Sequence, residues 1–218
     1  MSLKDHIDEL KAELEKAYDL DTDLIASGVA ESGFTCTFCS ECCRNSCGDN
    51  TVTLFPGEIR IIMEATGLPW ESIAVPQDSD DVDDRGFYHT FEWALNKKPN
   101  GDCMFLDGDG RCMAYGARPL ICRTYPLRLE GRTIERYICK GLCSEQVPPE
   151  RSRSIADQLK ERYIRELTET IGLLEKFEEF TPSPGDIIDT GEEKTIIVHD
   201  SEGCKRIRIG MKGAYRFY

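Results

Sequence analysis

Apolar side chains recur at helical spacing in three stretches of the chain. Leu3, Ile7, Leu10, Leu14 and Ala17 alternate steps of four and three between charged neighbours, which predicts an amphipathic helix over residues 2–20. Ile155, Leu159, Tyr163, Leu167, Ile171, Leu174 and Phe177 keep one face apolar through residues 150–180. Pro148-Pro149 and Thr181-Pro182 bracket that stretch, the longest predicted helix. A shorter helix opens at Pro56-Gly57, runs through Ile59, Ile62 and Met63, and stops at Gly67 and Pro69. Just before it, Val52 and Leu54 suggest a short extended piece.

Alternation marks strands in the last part of the chain: Ile187-Ile188, Thr195 to Val198, then Ile207 and Ile209 interleaved with Arg206 and Arg208. Ser201-Glu202-Gly203 makes the intervening turn. Residues 103–115 read as a second hairpin, with Met104, Phe105 and Leu106 running into Asp107-Gly108-Asp109-Gly110 and returning through Cys112 and Met113. Phe87, Tyr88, Phe91, Trp93 and Leu95 supply core bulk at a spacing that leaves helix and strand both open. Asp78, Asp80, Asp81, Asp83 and Asp84 lack the glycine turn and closing glutamate of a calcium loop and read as a solvated loop. These elements predict an α+β fold. Helices flank an irregular cysteine-lined metal-binding core with a small β-hairpin, and a β-hairpin or meander closes the chain. The expected organisation is an N-terminal amphipathic helix (1–30), a cysteine-cluster domain (31–147), and a helix and β-hairpin appendage (148–218) on the same body.

Composition changes this picture in one respect. The 218 residues include 40% apolar types, enough for a core, but also 11 cysteines, an odd number. Residues 1–20 are charged at nearly every second position, and no stretch approaches the ~18 apolar residues of a membrane span. The expectation is a cytoplasmic, reducing compartment with no membrane partner, where clustered thiols hold metal. A net charge of −13 disfavours nucleic acid. Against that balance, residues 111–140 carry seven basic side chains and only Glu130 and Glu135, in the same stretch as Cys112, Cys122 and Cys139.

The chemistry lies in the cysteines. Cys36, Cys39, Cys42 and Cys43 form a run with two consecutive two-residue gaps. Such gaps let thiolates close on one centre, and consecutive gaps suit an iron–sulfur cluster better than the separated pairs of zinc ribbons. Cys42 and Cys43, being adjacent, cannot project alike, so the run is expected to feed two ligand shells or a bridged one. Cys103, Cys112, Cys122 and Cys139 complete a proposed ligand set of eight. Cys103 and Cys112 flank the predicted turn, and Pro119 and Pro126 are read as holding Cys122 in an extended course. His6, His89 and His199 all lie away from the clusters in sequence, so ligation is by sulfur, which selects zinc, iron–sulfur or cuprous copper. Cys47, Cys143 and Cys204 read as bystanders filling a core. Thiolate charge beyond what metal returns needs cations, and Arg118 and Arg123 are placed to supply it beside the sulfurs. The competing reading makes these two arginines an anion-binding site.

The run Cys36 to Cys43, preceded by Phe34, resembles the defining motif of the CxxCxxCC cysteine-cluster family, described as a zinc- or iron-chelating domain. Cys103-Met-Phe-Leu106, Gly110-Arg-Cys112-Met-Ala-Tyr115, Arg118-Pro-Leu-Ile-Cys122-Arg-Thr-Tyr-Pro126 and Cys139-Lys-Gly141 are similar to its later blocks. The likeness spans about residues 34–143 and implies metal chelation. A similar domain occurs in flagellin lysine N-methylases, which brings in methyl transfer, although no Gly-rich loop follows a strand here.

The reading that follows is an intracellular protein holding an iron–sulfur cluster, of the 4Fe–4S type, in a redox or cofactor role. Two alternatives stand beside it. One is a structural zinc protein whose four-cysteine sites organise a partner-binding surface, and the other is a protein lysine methylase using S-adenosylmethionine. The N-terminal helix is the expected protein contact.

Overall fold

A computed structural model describes residues 2–142, 147–181, 194–210 and 215–217. Its helices are α1 (Leu3–Tyr18), α2 (Thr22–Ser32), α3 (Pro56–Thr66), α4 (Trp70–Ile73), α5 (Leu120–Thr124) and α6 (Pro149–Glu175). Its strands are β1 (Thr53–Leu54), β2 (Ala74–Pro76), β3 (Tyr88–Thr90), β4 (Trp93–Leu95), β5 (Leu127–Glu130), β6 (Thr133–Arg136), β7 (Lys194–Asp200), β8 (Gly203–Ile209) and β9 (Tyr215–Phe217). The chain divides into two compact units, residues 1–50 with 97–168 and residues 51–96 with 169–218. No helix among the described residues is long and apolar enough to cross a membrane.

In the first unit, local chemistry sets the helix ends. Ser2 caps α1 and exchanges hydrogen bonds with Asp5 in a capping box, while Asp21 caps α2 and Gly33 ends it in the left-handed conformation. The apolar stripe read along α1 is used internally: Leu10, Leu14 and Ala17 pack with Ile25 and Val29 of α2, Leu127 and Leu129 of β5, and Ile155, Leu159 and Tyr163 of α6. β5 and β6 form an antiparallel hairpin with Leu129 opposite Ile134. A polar tie crosses this core. Arg162, only 9% exposed, donates through Nη1 to the Thr124 hydroxyl at 3.0 Å and through Nε to Glu166 at 2.7 Å. Thr124 passes its own proton to the Leu120 carbonyl at 2.9 Å, so α5 is held by a fully buried hydroxyl.

The second unit carries two sheets. β4 lies between β1 and β2, antiparallel to both, with Trp93 opposite Leu54 and Pro76. β3 pairs in parallel with β7, which continues antiparallel to β8 and β9. Trp93 is 1% exposed, meets Trp70 edge to face at 5.4 Å and donates its indole N–H to Asp200 at 2.9 Å. The aromatic stretch, ambiguous by its spacing, forms strands.

Four expectations change. Residues 103–115 form a tight reverse turn with one antiparallel bridge, Leu106 to Cys112, where the Asp107 and Met113 N–H groups pair across it with the Arg111 and Phe105 carbonyls. The Asp107 carboxylate takes the N–H groups of Asp109 and Arg111, and the pairing extends no further into strands. The hairpin beside the cysteine-rich segment is β5–β6 instead. Cys122 lies in the short helix α5 and not in an extended segment: Pro119 sits at its N-cap, where a proline costs no hydrogen bond, and Pro126 follows its end. Asp83 departs from the solvated loop. It is 1% exposed and accepts from the backbone of Arg85 and Phe87 and from the Arg85 guanidinium. Phe177 lies beyond the end of α6, and Ile187-Ile188 fall outside the described residues.

Replacing Thr124 by Val keeps the shape and leaves the Arg162 Nη1 without its partner, so urea unfolding is expected to lose about 1–3 kcal/mol. Asp83 carries a pH signature. Burial raises its pKa, but the hydrogen bonds of Phe87 and Arg85 and the nearby His89 overcome this and hold it at about 2, below the ordinary 3.8. A depressed carboxyl stabilises above its unfolded value and loses that contribution as pH falls through the folded one. The stability gap between wild type and Asp83→Asn should therefore be about 2 kcal/mol at neutral pH and close between about pH 4 and pH 2.

Candidate metal centre

Residues 36–47 are neither helix nor strand. Two single 3-10 turns, Glu41–Cys43 and Asn45–Cys47, follow an irregular stretch in which Phe38 and Ser40 both take positive φ, 56° and 58°. Each such non-glycine residue costs about 1–2 kcal/mol, so the run around Cys39 is held in a strained course. The Ser40 hydroxyl donates to the Cys39 carbonyl at 2.7 Å and accepts from Arg44 Nε at 3.3 Å.

This run is joined to the second cysteine block through backbone. The Cys103 N–H donates to the Cys43 carbonyl at 2.8 Å. The Asn50 amide donates to that same carbonyl at 3.2 Å and to the Gly101 carbonyl at 2.9 Å. Asn50 is buried, and its side chain clamps the two segments together. Gly101 takes a φ of 82°, and a Cβ there would stand 2.7 Å from the Asn45 side chain, so the approach requires glycine.

Three sulfurs meet at this junction. Cys42 Sγ and Cys43 Sγ are 4.0 Å apart, and Cys43 also hydrogen-bonds Cys103 through its side chain. The hydrogen bond from Cys43 brings Cys42 down to about 7 and Cys103 to about 6, in both cases against burial. Cys43, hydrogen-bonded to both neighbours, is pushed far up. The arrangement favours the proton on Cys43 and negative charge on Cys103 and Cys42. Lys98, whose ammonium donates to the Leu106 carbonyl, adds positive charge beside Cys103.

The remaining thiols fall into two neighbourhoods. Cys112 and Cys122 lie within electrostatic reach of Cys103 and Cys42, and burial raises both. Cys139 lies within reach of Cys39, Cys42 and Cys36; burial raises it, and the Gly141 N–H donates to its sulfur at 3.3 Å. Cys42 belongs to both sets. Among the described residues, no three His, Cys, Asp or Glu side chains stand arranged to hold a metal ion as they are. Cys47 and Cys204 are exposed, so neither fills a core, and Cys143 lies outside the described residues.

Of the two arginines singled out from the sequence, Arg118 is among the largest influences on the thiols, lowering Cys42, Cys112 and Cys122. Its guanidinium donates to the Tyr115 carbonyl at 3.0 Å and covers the Tyr115 ring at 3.6 Å. Arg123 donates to the Arg118 carbonyl at 2.6 Å and so braces the loop that carries Arg118. Asn50, Lys98 and the Glu41–Lys140 ion pair escaped the sequence reading. No spacing rule singles out an isolated Asn or Lys, although the Pro99-Asn100-Gly101 turn beside Lys98 marks a place where backbone approaches closely.

Cys139 is positioned by a second junction. The Thr35 N–H donates to the Gly141 carbonyl at 2.8 Å, and Phe34 bridges Leu142, which places the start of the cysteine run against the third group. Lys140 pairs with Glu41 at the same place.

A family model described as CxxCxxCC, putative zinc- or iron-chelating domain, matches residues 35–144, half of the chain. No curated protein and no solved structure matches it.

A Cβ on Gly141 would lie 2.4 Å from the Thr35 carbonyl oxygen and 3.1 Å from the Phe34 ring. Gly141→Ala should therefore lower the urea midpoint by the equivalent of about 1–3 kcal/mol.

Proposed function

The chain belongs to the CxxCxxCC family of zinc- or iron-chelating domains, and from that premise we propose that it holds an iron–sulfur cluster of the 4Fe–4S type in a redox or cofactor role. One observation supports the reading: thiols of the second and third groups feel the charge of Cys42, and the main influences on them include sulfur and guanidinium but, among the described residues, no imidazole. A polynuclear cluster takes its ligands from several segments and accepts sulfurs spaced more widely than those around one ion. Cys36, Cys39, Cys42, Cys43, Cys103, Cys112, Cys122 and Cys139 are the residues that would supply them. When bound, the cluster would supply one-electron chemistry. The protein's part is to gather the thiols, to offset their charge through Arg118 and Lys98, and to hold the run in place through Asn50.

A second reading, structural zinc, rests on a different observation. The 4.0 Å separation of the Cys42 and Cys43 sulfurs is close to the ~3.8 Å edge of a tetrahedron with ~2.3 Å zinc–sulfur arms. In that case Cys42, Cys43 and Cys103 would share an ion whose binding free energy contributes to folding.

Anaerobic purification followed by metal and acid-labile sulfide analysis separates the two. The expected result is a coloured protein with about four iron and four sulfide per chain. Colourless protein holding zinc, with neither iron nor sulfide, would overturn the first reading in favour of the second.

A further inference from the structure

The second unit contains a file of titratable side chains that the metal centre does not use. β7 and β8 place His199 directly opposite Cys204, and the Cys204 Sγ lies 3.2 Å from His199 Nδ1. His199 Nε2 lies 2.8 Å from His89 Nδ1 on β3. His89 Nε2 in turn stands 3.4 Å from the buried carboxylate of Asp83, longer than an ideal hydrogen bond but within ion-pair distance. Both histidines are 2% exposed, whereas Cys204 is exposed. The file therefore begins at the surface and ends on an anion in the interior.

When the thiol proton is directed at His199 and not at the Glu178 carboxylate, the donor and acceptor count gives one order. A neutral imidazole donates from one nitrogen and accepts at the other. With Asp83 ionised, the proton of His89 is favoured on Nε2, the nitrogen facing the carboxylate at 3.4 Å without a hydrogen bond, and Nδ1 accepts. His199 then donates from Nε2 and accepts at Nδ1, the atom facing the thiol. The aromatic walls hold these rings in place: Phe180 stacks on His89 at 3.6 Å, and Phe91 stacks on His199 at 5.2 Å. A carboxylate that orients a histidine, which orients a second histidine against a thiol, is the general pattern of an activated cysteine.

We propose that Cys204 is a hydroperoxide-reactive thiol, with His199 as its base and with His89 and Asp83 as the groups that keep His199 in the base-competent tautomer. His199 Nδ1 takes the Sγ proton. A sulfur lone pair attacks one peroxide oxygen, the S–O bond forms and the O–O bond breaks. The departing hydroxide takes the proton back from the imidazolium and leaves as water. Sulfur loses two electrons, peroxide gains them, and the products are a sulfenic acid and water. A hydroperoxide suits the file because its leaving group is the one that needs the returned proton.

The charges around the file agree with a thiol that rests protonated. Burial and then the Glu178 carboxylate, which also hydrogen-bonds the thiol, raise Cys204. Burial and then His89 lower His199, against Glu178 and Asp200, which keeps the resting imidazole neutral. Lys205 is engaged with Asp200, and Arg85 with Asp83.

The test uses the full chain as purified, treated with hydrogen peroxide and dimedone, with adducts counted per cysteine by peptide mass spectrometry. Cys47, exposed and unaccompanied by histidine, is the internal reference. Cys204 should react at least about tenfold faster than Cys47 at neutral pH, and His199→Phe should remove that advantage. Asp83→Asn should reduce it partly. Alkylation of Cys204 by iodoacetamide should rise as an imidazole loses its proton, at or below about pH 6.5, and then level off. In His199→Phe it should instead follow ionisation of the thiol itself, displaced above the free-thiol value of about pH 8.5 by burial and Glu178. Reactivity of wild-type Cys204 no greater than that of Cys47, or a wild-type profile that follows thiol ionisation alone, would overturn the assignment. Both readings come from the unaltered protein and do not depend on whether a variant folds.

Discussion

The cysteine-rich unit depends first on a place where two distant stretches of backbone meet: the hydrogen bond from the Cys103 N–H to the Cys43 carbonyl, doubled by the Asn50 amide. Residues 51–96 belong to the other unit, so the first must close across them before any thiol of the second block can approach the run. Closing a loop of that length costs little more than closing a short one, because the entropy grows only with the logarithm of length. One buried amide spanning two carbonyls, each bond contributing about 1 kcal/mol net, is on the right scale to fix the junction. The junction places Cys43 beside Cys103, and with them the sulfurs on either side.

Electrostatics then decide what the gathered sulfurs can do. Buried thiols repel ionisation, and Cys112, Cys122 and Cys139 all rise for that reason. Cys43 relieves part of the repulsion through its hydrogen bonds with both neighbours, so negative charge is favoured at Cys42 and Cys103. Arg118 and Lys98 answer that charge locally in a chain whose total is −13. The excess of basic residues over 111–140 thus has a definite location in Arg118, while Arg128 lies 4.0 Å from Glu166 and serves the first unit's structure.

Periodic features were legible in the sequence, and features set by one long-range contact were not. The stripes of α1, α3 and α6 and the turn at Ser201-Glu202 follow from spacing, since burying one face requires it. The Asp-Gly pairs at 107–110 marked a correct turn, whose arms pair at one bridge before Cys103 leaves to bond Cys43. Pro119 and Pro126 misled about Cys122: a proline forbids a helix interior but favours a helix start, and five helical residues fit between them. The ligand candidates were legible as residue types; the clamp at Asn50 and the charge at Lys98 were not, as neither carries a pattern. Asp83 looked like its acidic neighbours and differs only through the fold around it.

The junction at Cys43 also has a meaning in time. A ribosome adding about 5–20 residues per second delivers Cys103 several seconds after Cys43, and α6, which supplies much of the first unit's core, later still. During that interval Cys36, Cys39, Cys42 and Cys43 stand on the growing chain before Asn50 has Gly101 to clamp and before Arg118 is made. A metal delivered after release therefore meets a different arrangement of thiols from one delivered during synthesis.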